Sequence, residues 1–512
     1  MTQKSKKTFS IYLWKLLNNP WILSFASILV LFIMLGTKEL WTQEWRWANI
    51  AHQMMLRHDY FHPFLAKKFY YDKPLISYWL MIAASYITGG FNLWALRLPG
   101  VIAALITLWS VYALGKRISS KQTGMLAGWI LISMFAFLFW ARVANTDMLN
   151  IAGIMVALAW YFAHRDRPTF FSYLVFFIIL AIAALLKGLI APVLVLVALT
   201  PDLLYDNNWQ KHLKLSMLAA LIIGILIYFL HFGLQYYFNP NNDTVSGLHL
   251  VYQENFLRFF KPFDHEGGIS TYFLALPLYS FPWIFFYIVA IGDTLKHWKQ
   301  KTVWSRWLAW ANLLIFAFFT ASGSRRNYYI LPMLPFVALF IADWVYNHVD
   351  AFTKRKKWAS YTATSFFIIN LIILGILYPI AYNGGGLVPF AKEVRQTATQ
   401  IKPWKDWTIS ILDAQSRTFF YLNSPNLVQF IDAKNDAQEH PTRKTLLLSF
   451  PILKNNPNHH ILIIRKSYLP YIQDILPKYT MIAEPLNLLD RWVNEDDPSL
   501  PVALVPKAFS SS

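Results

Sequence analysis

The sequence predicts an α-helical polytopic membrane protein, with about eleven spans and outer interfacial helices, that carries a C-terminal α/β extracytoplasmic domain. The first observation is composition: 56% of the residues are hydrophobic and 14% are charged, whereas soluble domains are about 25% charged. The second is length, because apolar runs of about 20 residues recur along the first three-quarters of the chain. The third is a change beyond about residue 382, where the apolar segments become too short to cross a bilayer.

Charge and cysteine content exclude two other classes of protein. The net charge is +19, but lysine and arginine crowd the short connections between apolar runs. This distribution follows the positive-inside rule for membrane proteins, so we predict no nucleic-acid partner. The chain has no cysteine, which excludes a disulfide framework and a thiolate metal site.

The first apolar run, residues 21–36, follows the basic stretch MTQKSKK. That stretch shows no cleavable signal pattern, so we expect a retained first span with a cytoplasmic N-terminus. The run at residues 74–88 is different, because a crossing there would place the basic stretch GKRISSKQ (115–122) outside. We therefore predict that residues 74–88 form a membrane-surface helix, within outer interfacial helices at about residues 37–92.

This assignment sorts the charged connections onto the two sides of the membrane. Five basic connections then lie in the cytoplasm: residues 115–122, 164–167, 206–214, 296–301 and 353–357. The outer connections are residues 141–148, 187, 233–268 and 322–329. Acids and bases thus gather at the outer leaflet. A membrane-bound phosphate substrate requires this arrangement, with basic groups to hold the phosphate and a carboxylate to take a proton.

The predicted transmembrane domain covers residues 1–382, and residues 383–512 differ in character. Short apolar segments such as WTISILD, HILIIR and VALVP alternate there with helix-compatible stretches such as FAKEVRQTATQI. Alternating short strands and helices predict a small α/β domain. Because the last span ends outside in this topology, we expect the domain in the periplasm.

An ordered series of motifs runs through about residues 20–380: QEWRWANIAHQMML, YYDKPLISYWL, LWALRLPG, ARVANTDM, LLKGLIAPVL, ENFLRF and SGSRRNYYILPMLP. The series resembles the C-type integral membrane glycosyltransferases. More narrowly, it is similar to the lipid A aminoarabinose transferases and the bacterial dolichyl-phosphate-mannose-type protein mannosyltransferases. The resemblance implies transfer of a sugar from a polyprenyl phosphate, undecaprenyl phosphate in bacteria, to a lipid or protein acceptor. The reaction would occur on the outer face of the bacterial inner membrane.

The resemblance also implies a catalytic carboxylate, and here this sequence departs from the family. The aspartate that the family favours as base or acceptor-orienting group is replaced by Gln43, with Glu44 next to it. Glutamine cannot accept a proton at neutral pH. Either Glu44 carries the role, or Asp147 of the second outer loop does, or the activity has changed.

Family roles in phosphate binding correspond to Lys73, Arg258 and Tyr329. Charged nitrogens donate strong hydrogen bonds to phosphate oxygens, and a tyrosine hydroxyl adds a neutral donor. Further candidates for substrate binding are Arg46, Arg325 and Lys187. Lys187 is equally explained as an interfacial anchor whose ammonium group extends to the polar layer.

Some members of the family hold a metal beside this site, through an acidic residue and a histidine. The corresponding residues here are Asp72 and Gln253, and an amide is a much poorer ligand than imidazole. We therefore expect no required cofactor. Asp72 is the remaining candidate ligand for a divalent metal, with His265 or Glu254 as substitutes, and its alternative role is an ion pair with Lys73.

Two other classes of function have the same outer cations and many spans. One is a transporter or flippase for a lipid-linked sugar, and the other is a membrane scaffold whose outer domain binds a partner. Transporters bring charged groups to the bilayer midplane and show inverted repeats. The sequence shows neither feature, which favours the transferase.

Overall fold

The computed structural model describes most of the chain as two compact units. The described residues are 11–41, 43–65, 68–71, 73–205, 209–238, 257, 260, 267–346, 354–382, 385–412, 417–424, 426, 429–431, 460–474, 476–486 and 499–507. Unit 1 comprises Met1–Leu35, Tyr71–Gly90 and Trp94–Leu374. Unit 2 comprises Gly36–Tyr70, Phe91–Leu93 and Gly375–Ser512, so it contains the predicted tail domain together with part of the first outer loop.

Helices dominate the described residues, and the strands are short. The helices are α1 (Ile11–Leu17), α2 (Pro20–Phe32), α3 (Glu44–Arg57), α4 (Ile76–Ile87), α5 (Leu93–Ile118), α6 (Lys121–Ser133), α7 (Phe135–Ala141), α8 (Asp147–His164), α9 (Phe170–Lys187), α10 (Ile190–Tyr205), α11 (Trp209–His212), α12 (Leu215–Tyr237), α13 (Thr271–Ser280), α14 (Ile284–Lys296), α15 (Val303–Ala321), α16 (Leu334–Tyr346), α17 (Lys354–Ile372), α18 (Tyr378–Ala381), α19 (Leu387–Thr399) and α20 (Thr418–Leu422). The strands are β1 (Phe64–Leu65), β2 (Lys68–Phe69), β3 (Thr408–Leu412), β4 (Gln429–Ile431), β5 (His460–Arg465), β6 (Tyr479–Ala483) and β7 (Pro501–Pro506).

Several helices are long and apolar enough to cross a membrane, which confirms the prediction of a polytopic membrane protein. Among the described residues there are 7 such helices, and up to 10 spans if each of three bent helix pairs counts as one. The bent pairs are α1–α2, α6–α7 and α13–α14, with bends of 74°, 74° and 111°. The expected total of about eleven spans is therefore not established.

Helix α4 is the segment predicted to lie on the membrane surface. It has 12 residues, which corresponds to a length of about 18 Å. A hydrocarbon core of about 30 Å needs roughly 20 helical residues. The helix is too short to cross alone, in agreement with the surface position.

The predicted continuous span at residues 124–140 is instead divided into α6 and α7. Met134 takes an extended conformation between them, with φ −80° and ψ 116°. The polar groups at the break have partners, as they must in an apolar layer. Trp283 Nε1 donates to Ser133 Oγ at 2.8 Å, and Asn370 Nδ2 donates to the Ser133 carbonyl at 3.1 Å.

Unit 1 has two polar ends, which the antiparallel helices α8 and α9 define. At the first, which we name the Asp147 end, Asp147 begins α8 and Lys187 ends α9. At the second, the Arg165 end, Arg165 pairs with Asp202 at 2.6 Å. The 18 residues of α8 separate the two ends by about 27 Å.

Arg142 anchors the connection between α7 and α8. It is 8% exposed, and it donates to the carbonyls of Val30 at 3.2 Å, Leu31 at 2.8 Å and Ile33 at 2.7 Å. These carbonyls belong to the end of α2, where the last four lack helical partners. The guanidinium group therefore completes the hydrogen bonding of a helix end inside the unit.

We expect Arg142→Met to lower the free energy of unfolding by about 2–4 kcal/mol, because buried carbonyls lose their donors. Thermal or denaturant unfolding in detergent measures this loss. Arg167→Met is the matched control, since Arg167 is exposed and its replacement should stay within about 0.5 kcal/mol of wild type. Equal stability of the two variants would rule out the anchoring role.

The C-terminal part of unit 2 contains a five-stranded mixed sheet, in the order β4-β3-β5-β7-β6. Strand β3 pairs in parallel with β4 and β5, and β7 pairs antiparallel with β5 and β6. All six residues of β7 are buried, as expected for a central strand covered on both faces. The tail therefore forms the predicted sheet domain. Thr418–Leu422 is another apolar segment of the tail, but it forms a short buried helix and not a strand.

The segment before α3 is bound tightly to this tail. Glu39 is 6% exposed, and its Oε1 accepts from the Leu387 amide at 2.6 Å. The Leu40 amide donates to Tyr421 Oη at 2.6 Å. Gly386 permits the close approach, since it has φ +86° and a Cβ there would collide with the Glu39 carboxylate. These bonds explain why residues far apart in sequence form one unit.

His52 gives unit 2 a predicted dependence on pH. Its ring lies 5.3 Å from Phe91 and 6.2 Å from Phe419, and burial lowers the pKa of His52 to about 4. In the unfolded chain the pKa of His52 has its ordinary value of about 6.5. Between pH 7 and pH 5 the unfolded chain therefore takes up a proton at His52, whereas the folded chain does not. Acidification from pH 7 to pH 5 therefore favours unfolding, by about 2 kcal/mol.

Melting temperatures at pH 7 and pH 5 test this dependence in wild type and in His52→Phe. The variant should lose much less stability on acidification, because phenylalanine does not titrate. His58→Asn is the control: His58 is exposed and has φ 53°, a conformation that asparagine tolerates. A wild-type pH response in His52→Phe would contradict the assignment.

Candidate functional site

Asp147 and Lys187 form an ion pair at the Asp147 end of unit 1. Lys187 Nζ donates to Asp147 Oδ1. Both side chains are largely buried, with 8% of the aspartate and 16% of the lysine exposed. Removal of either partner would leave an uncompensated charge in an apolar environment, which is costly. The pair therefore holds the ends of α8 and α9 together.

The local sequences explain why these two charges meet. Asn145 Oδ1 accepts from the Asp147 amide at 2.9 Å, which shapes the turn that starts α8. Gly188, with φ +115°, ends α9 directly after Lys187. A helix favours a negative side chain in its first turn and a positive one in its last turn. Asp147 at the start of α8 and Lys187 at the end of α9 are thus each at the helix end that favours their charge, independently of the ion pair.

Aromatic side chains lie on one side of the ion pair between Asp147 and Lys187. Lys187 Nζ lies 5.5 Å from the Tyr329 ring centroid. Tyr329 contacts Tyr328 at 5.1 Å between ring centroids, and Tyr328 contacts Trp140 at 4.8 Å. Arg326 Nη1 donates to Tyr328 Oη at 2.7 Å. The predicted residues Asp147, Lys187 and Tyr329 are therefore brought together in one unit.

Lys73 lies toward the same end of α9. It lies three positions before the first residue of α4, Ile76, which packs against the cluster of Ala181, Ala184 and Leu185. That cluster belongs to the last two turns of α9, which end at Lys187. Both lysines are therefore located near the C-terminal end of α9, as a site with two phosphate-binding cations requires.

Glu44 and Arg46 belong to unit 2, at the start of α3. Glu44 is fully buried, and its Oε2 accepts from the Trp41 amide at 2.7 Å. The guanidinium carbon of Arg46 lies 5.8 Å from the ring centroids of both Trp47 and Tyr70. Burial and the backbone bond indicate that Glu44 stabilises the beginning of this helix.

Of the three remaining predicted site residues, the structure describes only Arg325. Arg325 donates to the Thr320 carbonyl at 3.2 and 3.0 Å and to the Gly267 carbonyl at 2.8 Å. These bonds give it a structural role in the connection before α16. Arg258 and Asp72 lie outside the described residues, as do Gln253, Glu254 and His265, the other metal-ligand candidates. Within the described residues, no group of three or more histidine or carboxylate side chains is arranged to hold a metal.

The structure adds one polar residue that the sequence interpretation missed. Asn150 is fully buried one turn after Asp147 on the same face of α8. Neither atom of its amide has a hydrogen-bond partner within the described part of the chain. An asparagine inside an apolar span is itself a signal of function, because buried polar groups in membranes are expensive.

Comparison with known proteins relates this arrangement to one group of enzymes. The family described as dolichyl-phosphate-mannose-protein mannosyltransferase matches residues 72–233. An undecaprenyl phosphate-alpha-4-amino-4-deoxy-L-arabinose arabinosyl transferase of Shewanella sediminis is 25% identical over 71% of this chain and 66% of its own. A Pseudomonas fluorescens (strain Pf0-1) protein of the same description is 23% identical over 65% of this chain and 58% of its own. The chain thus spans less than two-thirds of these relatives.

Solved structures share the fold over nearly the whole chain. ArnT from Cupriavidus metallidurans bound to undecaprenyl phosphate has a TM-score of 0.70 at 13% identity, with 96% of this chain and 98% of that one covered. The archaeal oligosaccharyltransferase AglB from Archaeoglobus fulgidus has a TM-score of 0.53 at 11% identity, with 98% and 76% covered.

The apolar helical unit, its charged end and the C-terminal sheet define a polytopic protein with the fold of the C-type membrane glycosyltransferases. Within that class, the chain is similar to the aminoarabinose transferases and, over residues 72–233, to the protein mannosyltransferases. The resemblance seen in the motifs is thereby confirmed.

We predict strong energetic coupling between Asp147 and Lys187. Lys187→Met leaves a buried carboxylate without its cation and should lower the free energy of unfolding by about 3–5 kcal/mol. Adding Asp147→Asn to Lys187→Met should restore most of that loss, because no buried charge remains. Unfolding of wild type, both single variants and the double variant in detergent measures the coupling free energy. Additive effects of the two substitutions would disprove the pair.

Proposed function

We propose that this protein transfers a sugar from a polyprenyl phosphate, undecaprenyl phosphate in bacteria, to a lipid or protein acceptor. The observation that carries the proposal is the group of Asp147, Lys187 and Tyr329, with Lys73 near the same end of α9. It combines cations, a phenol and a carboxylate at the end of apolar helices, where a lipid-linked phosphate lies. Similarity to the mannosyltransferase family model and to the aminoarabinose transferases supports the reaction type.

In this reaction the acceptor oxygen bonds to the anomeric carbon, while the bond from that carbon to the phosphate oxygen breaks. The acceptor proton passes to a carboxylate, and the polyprenyl phosphate leaves with the bonding electrons. Lys73, Lys187 and Arg258 bind the phosphate, and the Tyr329 hydroxyl adds a donor. Cations stabilise the leaving group most strongly where its charge develops, which lowers the barrier.

Asp147 and Glu44 remain the two candidates for the carboxylate. Asp147 lies against Lys187, so it also orients that ammonium group toward the phosphate. Glu44 accepts from the Trp41 amide, and it lies next to Gln43, which stands where the family has its aspartate. Asp72 stays the candidate metal ligand, and no metal takes part in the proposed step.

We also propose the orientation that the positive-inside rule favours, with the Asp147 end periplasmic and the N-terminus cytoplasmic. The Arg165 end carries Arg117, Arg165 and Lys301 in ion pairs, which supports a cytoplasmic position. The C-terminal domain from residue 383 then lies in the periplasm, and about eleven spans complete the topology. Membrane lipids surround the spans.

Sugar transfer from a synthetic polyprenyl-phosphate sugar, followed by mass spectrometry, tests the function. Lys73→Ala should lower kcat/KM for the donor about 10- to 100-fold, since one charge-assisted bond to phosphate contributes about 1.5–3 kcal/mol. Replacement of the true carboxylate, by Glu44→Gln or Asp147→Asn, should lower kcat about 100-fold or more. Lys116→Ala, at an exposed lysine of α5, is the control and should keep wild-type rates.

Each rival function has its own result in the same preparation. A flippase would move the lipid-linked sugar across a vesicle membrane without forming a glycosylated product. A scaffold would do neither. No transfer to any lipid or peptide acceptor by the folded wild-type protein would refute the proposal.

A further inference from the structure

A cavity of about 590 Å³ lies at the Arg165 end of unit 1, opposite the Asp147 end. Ser119 and Ser120, which line the cavity, come directly after α5. The end of α5 lies beside the end of α8, because Arg117 Nε donates to the Phe162 carbonyl at 3.0 Å. The lining residues come from four helices and the turns beside them: Trp14, Lys15, Asn18, Ser119, Ser120, Gln122, Tyr346 and Lys356. The volume is in the range of small-molecule sites.

The lining is cationic and hydroxyl-rich, and none of its eight residues is acidic. Lys356 is 8% exposed, and its Nζ lies 5.3 Å from the Tyr346 ring centroid. Lys15 is exposed on the other wall. Two ammonium groups with serine hydroxyls and amide side chains suit the oxygens of a phosphate group.

The N-terminus of α6 adds further positive potential. Ser120 caps this 13-residue helix by accepting from the Thr123 amide at 3.1 Å. Gln122, in the first turn, lines the cavity. The amides of a first helical turn point outward, and they favour an anion. The helix end and the two lysines therefore act on the same space.

The walls of the cavity are held in place by contacts between helices. The rings of Trp14 and Tyr346 lie 5.3 Å apart, and Tyr346 Oη donates to Asn18 Oδ1 at 3.1 Å. Trp129 Nε1 of α6 donates to the Leu17 carbonyl of α1 at 2.9 Å. The cavity is thus built by packing, and a ligand needs little reorganisation to enter it.

We propose that this cavity binds the phosphate of an anionic membrane-lipid headgroup. Its place at the ends of apolar helices puts it at headgroup depth, and basic pockets between spans are a known form of lipid site. The volume leaves room for the glycerol that joins the phosphate to the acyl chains. This site is separate from the proposed sugar-transfer site and does not depend on that function.

Thermal stability of the full chain in detergent, titrated with phosphatidylglycerol or with phosphatidylcholine, tests the inference. Phosphatidylglycerol should raise the melting temperature in a saturable way, and phosphatidylcholine should not. Lys15→Gln and Lys356→Gln should each weaken the apparent affinity about tenfold, the effect of losing one charge-assisted contact. Lys354→Gln is the matched control, an exposed lysine on the same helix that does not line the cavity.

Lys15→Gln keeps the experiment decisive if Lys356→Gln fails to fold, because Lys15 is exposed. A response of Lys15→Gln equal to that of Lys354→Gln would overturn the site. Inorganic phosphate forms a second arm at the same ionic strength. Equal stabilisation by phosphate, lost in Lys15→Gln, would overturn the lipid assignment and indicate a soluble phosphate ligand. No stabilisation by either anion would overturn the inference altogether.

Discussion

The ion pair between Lys187 and Asp147 is the interaction on which the candidate site depends. Each charge alone would be costly at the end of an apolar helix, and together they compensate each other while joining α8 to α9. The pair also prevents the ammonium group from extending freely toward the water layer, as a solitary lysine would. The pair therefore holds the ammonium group at one fixed position, which is where we propose that the phosphate binds.

The same requirement, that every buried charge or backbone group has a partner, governs the rest of unit 1. Arg142 donates hydrogen bonds to carbonyls at the end of α2, and Arg97 donates to a carbonyl in the turn after it. Arg165 is compensated by Asp202, and Tyr161 Oη donates to the same aspartate at 2.9 Å. Such residues are committed to structure. Lys187 differs from them because its ion pair with Asp147 lies beside Tyr329 at the Asp147 end of unit 1.

Hydropathy and charge were sufficient to predict the polytopic fold, a separate short helix at residues 76–87 and the sheet in the tail. They could not predict the break at Met134, because nothing in the run before Trp140 interrupts its hydropathy. The partners of Ser133 come from residues 150 and 237 positions away in the chain. For the site, the motifs nominated Asp147, Lys187 and Tyr329, and the structure brings these three residues together. Only tertiary contacts could separate Arg325, which binds carbonyls, from cations that face side chains.

Position 43 shows how a local change at a helix start bears on catalysis. Gln43 is the N-cap residue of α3, and its side chain makes no capping hydrogen bond. An aspartate there would be a favourable cap. In this chain the carboxylate of Glu44 instead accepts from the amide of Trp41, which lies before the helix, so it fixes the segment that leads into α3. A carboxylate therefore remains at the start of α3 although position 43 is an amide, and this keeps Glu44 a candidate for the proton transfer proposed above.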